Sequence, residues 1–359
     1  MPVLWFLAGL AALIAGAEVL VKSVSRLALA AGISKLVIGL TLVAFGTSAP
    51  ELAVSIQAGI NGETDLMIGN IIGSNISNTL LILGIGALLI PVKINVNLIR
   101  SDLPIMIGAT LLVWVFALNG SISMWECLAL SLLLFVYLLF LGRQSGSEYS
   151  SGVKTKRKAG VIVLQLAGSI AGFILLILGA GWMVDSAVIF AEIAGVSELV
   201  IGLTVVAIGT SLPEIVVVIV AAFRKERDIA VGSVIGSNIM NLLAVLGVSG
   251  LFIPGSIPVP EVLLRVDLSV LIAASFLCIP VFYTGRMISR AEGLMFLFFY
   301  SSYLAYLYLS NKEHSLLDLF LALMPYVFGL ILLVLALRSL REIFRRYRFR
   351  NFNHVNLKE

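Results

Sequence analysis

The sequence is poor in charge, in histidine and in cysteine, and each shortage rules something out. Charged residues make up 12% of the 359, whereas soluble globular chains average about a quarter. With 60% hydrophobic residues and a mean hydropathy of +1.09, the chain cannot be a soluble domain. The two histidines, His314 and His354, fall in a loop and in a basic C-terminal segment. No imidazole is therefore available inside the apolar runs to ligate a transition metal or to act as a base. Cys127 and Cys278 both sit within apolar runs, where a thiol is a small packing group, so there is no disulfide framework to read. The N-terminal run lacks a basic leader and a small-residue cleavage site, and it is read as a retained helix.

Apolar runs of roughly 18 to 25 residues fill the rest of the chain, each able to cross a hydrocarbon core of about 30 Å. They predict an all-α polytopic membrane protein of eleven helices, over 3–21, 36–60, 66–90, 101–118, 123–142, 160–184, 197–222, 229–253, 266–284, 291–310 and 316–337. With the N-terminus outside, 22 of the 24 Lys and Arg residues fall on inner loops and the C-terminal tail, leaving Arg265 and Lys312 outside. That is the asymmetry the positive-inside rule requires, and it puts the C-terminus in the cytoplasm. The basic segment "RSLREIFRRYRFR" is read as a partner for anionic membrane lipid, not for nucleic acid.

Sliding the sequence against itself by 163 residues exposes a repeat. "GISKLVIGLTLVAFGTSAPEL" at Gly32 aligns with "GVSELVIGLTVVAIGTSLPEI" at Gly195, and "GNIIGSNISNTLLILG" at Gly69 with "GSVIGSNIMNLLAVLG" at Gly232. Over 32–84 and 195–247, 30 of 53 positions are identical without a gap. The chain thus divides into a five-helix half at 1–142, a basic linker at 143–159, a second five-helix half at 160–310, an extra helix at 311–337 and a basic tail at 338–359. Five is odd, so the second half should enter the membrane from the opposite side. That gives two inverted-topology repeats, an architecture associated with alternating-access transporters.

The most similar stretches of the two halves are also the most polar. Pro50 and Pro213 lack an N–H and crowd the preceding turn, so both helices should break there and release carbonyls, which membrane helices tolerate only where something uses them. Thr47, Ser48 and Glu51 cluster beside one break, and Thr210, Ser211 and Glu214 beside the other. In the partner helices Ser74 and Asn78, and Ser237 and Asn241, are i, i+4 pairs on one face. Four helices thus offer carboxylate, hydroxyl and amide oxygen, a hard-ligand set that suits calcium and sodium. Two glutamates would be balanced by one divalent or two monovalent cations. Gly69, Gly73, Gly232 and Gly236 are expected to let the helix backbones approach closely.

"GTSAPE" with "GSNISN", and "GTSLPE" with "GSNIMN", resemble the two alpha-repeats of the cation/calcium exchanger superfamily, most of all its prokaryotic sodium/calcium exchanger branch. The resemblance spans about 11 to 310. It implies a sodium/calcium antiporter of a prokaryotic cell membrane, with no cofactor and with sodium and calcium as transported ions. It further implies Glu51 and Glu214 as calcium ligands, the backbone carbonyls of Ala44 and Ala207 as further ligands, and Thr47, Ser48, Thr210, Ser211, Ser74, Ser237 and Asn78 as ligands for either ion. Some relatives carry aspartate where this chain has Asn241, so a stoichiometry or potassium coupling does not carry over.

Proton/calcium exchange is the alternative within the superfamily, but it has no use for the Thr-Ser pairs as monovalent-ion ligands. A hydrolase is excluded because neither Ser48 nor Ser211 has an intramembrane histidine or lysine to activate it. A channel would be built on a continuous pore and oligomeric symmetry, not on inverted halves. Outside the motifs, Glu18 is expected to snorkel or to pair with Lys22. Asp102 and Asp267 are expected to pair with Arg100 and Arg265 or to cap helices, and the aromatic run "FLFFYSSYLAYLYL" to face lipid.

Overall fold

The computed structural model describes residues 2–148, 159–193, 207–311 and 316–355. Most of the basic linker, the first part of the second broken helix with Gly195 and Glu198, and His314 lie outside these residues. The apolar runs form helices because a backbone within lipid must satisfy its own polar groups. In chain order they are α1 (Pro2–Ala31), α2a (Lys35–Thr47), α2b (Ala49–Ile60), α3 (Thr64–Leu89), α4 (Leu98–Ala117), α5 (Met124–Glu148) and α6 (Ala159–Ile193). They continue with α7a (Ala207–Thr210), α7b (Leu212–Phe223), α8 (Arg227–Gly250), α9 (Leu263–Tyr283), α10 (Arg290–Asn311) and α11 (Leu317–Val355). Nine of the described helices are long and apolar enough to span a membrane, and the bent pair α2a–α2b makes a tenth.

Several helices are longer than the hydropathy predicts, α1, α6 and α11 most of all. α1 runs on to Ala31, and α11 continues without a break through the segment read as a tail, so that much of this basic segment is helical. The central helices are α3 and α8. The most apolar stretch of α8 is wholly buried and that of α3 is 78% buried, against 28% for α1 and 6% for α11. The core therefore sits around the two helices that carry the Gly-Ser-Asn motifs.

The halves repeat one another in detail. α5 and α10 each open with a capping box in which Glu126 and Glu292 accept from the N–H of Ser123 and Ser289, both at 2.7 Å. Four short strands, β1 (Val92–Lys93), β2 (Ser121–Ser123), β3 (Ser256–Pro258) and β4 (Met287–Ile288), form two antiparallel pairs. β1 pairs with β4 through Val92 and Ile288, and β2 with β3 through Ile122 and Ile257. β1 precedes α4 and β2 follows it, so the two pairs lie at opposite ends of that helix.

Several expectations are corrected here. Glu18 pairs not with Lys22 but with Arg224, which ends α7b and reaches across to α1. Asp102 and Asp267 stand at the N-terminal ends of the α-helical parts of α4 and α9 but make no side-chain cap bond. Asp102 accepts from the Tyr137 hydroxyl at 3.2 Å and Asp267 from the Tyr303 hydroxyl at 2.7 Å. Arg265 pairs with Glu261 on the same helical face, four residues away. Burial favours the tyrosine partners, since a phenol offers a donor without bringing a second charge out of water. The aromatic run of α10 is partly core: Phe296 is fully buried, and Phe299 meets Phe328 of α11 edge-on at 5.0 Å.

Candidate ion site

The first break falls at Ser48, whose φ of −82° and ψ of 3° leave the helical region, and α2a and α2b meet there at 43°. Pro50 sits in the first turn of α2b, where its missing N–H costs nothing. The break therefore precedes the proline, and Glu51 lies in the first turn of a new helix, where the dipole favours negative charge. The second half repeats this at Ser211, with φ −88° and ψ 1°, Pro213 and Glu214.

α3 and α8 each contain a wide π-helical turn, at Ser77–Ile82 and Asn241–Val245, and these turns carry Asn78 and Asn241. π-turns insert a residue into the helical register and are frequent at functional sites. Both asparagines are buried there, at matching places in the two halves.

Contacts across the halves join the motifs. The Thr47 and Ser237 hydroxyls are 3.3 Å apart, and Asn241 Nδ2 donates to Ser74 Oγ at 2.9 Å. Glu51 and Glu214 lie within electrostatic reach of one another, and Thr47 approaches Glu214 without closing a well-formed hydrogen bond. The Ala44 carbonyl accepts from the Ser48 N–H at 3.0 Å and from Thr47 Oγ1 at 3.3 Å. Ala207 opens α7a and Thr210 closes it.

The unusual feature is unspent bonding capacity. Ser48 Oγ, Glu51 Oε2, Asn78 Oδ1, Ser211 Oγ, both Glu214 carboxylate oxygens and Asn241 Oδ1 are buried without a hydrogen-bond partner among the described residues. Such a group costs about 1–3 kcal/mol when left unpaired, more when charged. Leaving so many acceptors unpaired on two helix breaks and the two helices bonded to one another beside them makes sense where a cation supplies the missing partner. These seven oxygens match a hard cation, and the Asn78 amide nitrogen beside them is likewise buried and without a partner among the described residues.

Sequence reading missed three asparagines. Asn70 on α3 donates to Ser55 Oγ at 3.0 Å and to the Glu51 carbonyl at 3.3 Å, fastening α2b beside the site. Asn238 donates to Thr79 Oγ1 at 2.8 Å, while Asn75 donates to the Ile71 carbonyl of its own helix at 2.7 Å. The last two stand inside the recognised motifs, but helical spacing alone gave no reason to choose them over their neighbours. The glycines divide as well. A Cβ at Gly236 would lie 2.6 Å from the Leu40 carbonyl oxygen and one at Gly232 3.0 Å from that of Leu36, so these two permit α8 to approach α2a. Gly69 and Gly73 meet nothing among the described residues.

The family model described as "Sodium/calcium exchanger protein" matches residues 1–143 and 164–309. The chain belongs to this family. The two matched stretches correspond to the two halves and omit α11. The chain is 37% identical over 347 residues to the sodium/calcium exchanger MaX1 of Methanosarcina acetivorans, covering 84% of this chain and 97% of that one. It is 38% identical over 263 residues to the inner membrane protein YrbG of Escherichia coli, covering 69% and 81%. Among solved structures it matches the sodium-calcium exchanger NCX_Mj soaked with 10 mM Na+ and no Ca2+, with a TM-score of 0.75 at 32% identity, covering 85% and 98%. The chain is thus a membrane transporter and not an enzyme.

Proposed function

We propose that the chain exchanges sodium for calcium by alternating access, with the ions held between the two breaks and their partner helices. The unspent oxygens from α2, α3, α7b and α8 carry this reading. Glu51 and Glu214 supply the charge that calcium balances. Ser48, Ser211, Asn78 and Asn241 complete the shell, and Thr47, Thr210, Ser74, Ser237 and the Ala44 and Ala207 carbonyls serve sodium or calcium as occupancy changes. The existing bonds Thr47–Ser237, at 3.3 Å, and Asn241–Ser74, at 2.9 Å, join uncharged groups and leave Asn241 Oδ1 open to an arriving cation.

The strand pairs support inverted topology. β3 is the repeat counterpart of β1, yet it pairs with β2 at the other end of α4, so corresponding loops lie at opposite ends of the bundle. Inverted halves give a transporter two related conformations, each opening one side. The N-terminus is placed outside and the C-terminus in the cytoplasm, with the basic end of α11 against anionic lipid.

The test is calcium uptake into proteoliposomes under an imposed sodium gradient and, separately, under an imposed pH gradient. Uptake driven by sodium is expected. Uptake driven by pH alone would replace sodium with protons as the coupling ion.

A further inference from the structure

Two ion pairs outside the ion site join the first half of the molecule to the second, and both end on the turn between α7b and α8. Lys35 Nζ, at the start of α2a, donates to both carboxylate oxygens of Glu226, at 2.9 and 2.7 Å, and Ser25 Oγ of α1 adds a third bond at 2.8 Å. Arg224, two residues earlier, engages both carboxylate oxygens of Glu18 on α1 through Nε and a terminal nitrogen. Two-pronged contacts of this kind fix orientation as well as distance. Between Arg224 and Glu226 stands Lys225, held at a φ of +61°, where its repeat counterpart is Gly62 at +80°. Both turns also close with the same bond, Glu226 N–H to the Ala221 carbonyl and Glu63 N–H to the Ala58 carbonyl, each 2.8 Å.

The turns share a backbone but not their charges. Moving each latch residue by 163 positions gives Glu198 for Lys35 and Glu63 as the equivalent of Glu226, two like charges in place of an ion pair. Glu18 maps to Gly181, and Arg224 is the counterpart of Asn61, so the second pair has no equivalent either. The repeat therefore builds cross-half ion pairs at one end of the molecule and, by its own sequence, cannot build them at the other. Resting on the alternating-access reading above, we propose that Lys35, Glu226, Glu18 and Arg224 form a one-sided latch. It keeps the pathway beside α7b closed and must open once in every transport cycle.

The setting suits a contact that opens and closes. The four side chains are partly exposed, between 19% and 47%, so the pairs are worth little enough to break. A polar cavity of about 340 Å³, lined by Lys35, Lys93, Asn95, Lys225, Glu226 and Asp228 among others, adjoins the first pair and offers room to hydrate the charges when they part. The basic residues gathered here put this end on the cytoplasmic side by the charge rule. The two conformations should then be unequal in energy, with the cytoplasmic-closed one favoured by the latch.

Ala58 and Ala221 give a paired readout. They are repeat counterparts, both buried, and each stands seven residues beyond its glutamate on the same helical face, toward opposite ends of the molecule. Ala58→Cys and Ala221→Cys are made separately in a background with Cys127→Ala and Cys278→Ala, and their rates with a small water-soluble thiol reagent are measured in purified protein. With Lys35→Met or Glu226→Gln added, the cysteine at 221 should react roughly fivefold faster, the population change that loss of about 1 kcal/mol produces. The cysteine at 58 should react more slowly. Lys35→Arg, which keeps the charge, should restore both rates. Unchanged reactivity at 221 in both latch variants overturns the proposal, and so does a parallel rise at 58 and 221, which would mean general loosening. The thiol rates do not depend on which ion drives calcium, so absent sodium-driven uptake in the wild type would count against the coupling ion and not against the latch.

Discussion

The motifs "GSNISN" on α3 and "GSNIMN" on α8 differ at one position, yet their asparagines do different work. On α8 both amides reach across to the other half: Asn238 to Thr79 and Asn241 to Ser74. On α3 neither does so among the described residues, where Asn75 bonds its own helix and Asn78 has no partner. The cause lies one residue beyond the motif. Thr79 presents a hydroxyl to Asn238, whereas its counterpart, Leu242, offers Asn75 no acceptor. α8 therefore braces the site through its amide nitrogens, with Asn241 Oδ1 left unpaired, whereas on α3 the whole Asn78 amide is unpaired among the described residues. A repeat sets which residues converge, and the neighbours of each copy decide which of them become ligands and which become supports.

The comparison is broken most severely at the glutamates, where the halves should be equal. Glu51→Gln and Glu214→Gln should each abolish sodium-driven calcium uptake while leaving a folded protein, because a neutral amide cannot replace the lost charge. Uptake close to wild type in both would place the site elsewhere.

The asparagines in the π-turns should respond unequally. Asn78→Asp and Asn241→Asp each add a negative charge beside the two glutamates and should tighten calcium binding by about tenfold, or about 1.4 kcal/mol, while slowing turnover, since an ion held more firmly leaves more slowly. Asn241→Asp also loses the donor that holds Ser74, so it should lower the melting temperature more than Asn78→Asp does. Calcium titration in detergent, flux in liposomes and thermal unfolding separate the three effects.

The smallest effect sharpens the contrast between brace and bystander. Asn238→Leu removes a buried bond between the halves and should cost about 1–3 kcal/mol because Thr79 loses its partner. Asn75→Leu should cost less, since the Ile71 carbonyl has helical partners of its own. Equal losses in thermal stability would show that α3 and α8 are braced alike.

Much of this was legible in the sequence, for identifiable reasons. The repeat exposed Glu51 and Glu214 because intramembrane acids are rare and these two recur at one spacing. It also exposed the hydroxyls and amides around them. The position of the break was less legible. Pro50 announces it, but Ser48 makes it, because a proline is most comfortable in the first turn of the helix that follows. The π-turns at Ser77 and Asn241 leave no hydropathy signal, since one inserted residue alters register and not composition. The partners of Glu18, Asp102 and Asp267 were misjudged because nearest-neighbour reasoning favours Lys22, Arg100 and Arg265, whereas packing brings Arg224, Tyr137 and Tyr303 from over 30 residues away.

The central claim is that two halves build one shared site and not two separate ones. Calcium titration of the purified protein, with the ion counted per chain, tests it directly. The account predicts one calcium per chain in the wild type, the charge that two glutamates balance, and loss of that calcium in Glu51→Gln and in Glu214→Gln alike. Two calcium ions in the wild type, with one retained in each glutamine variant, would contradict it.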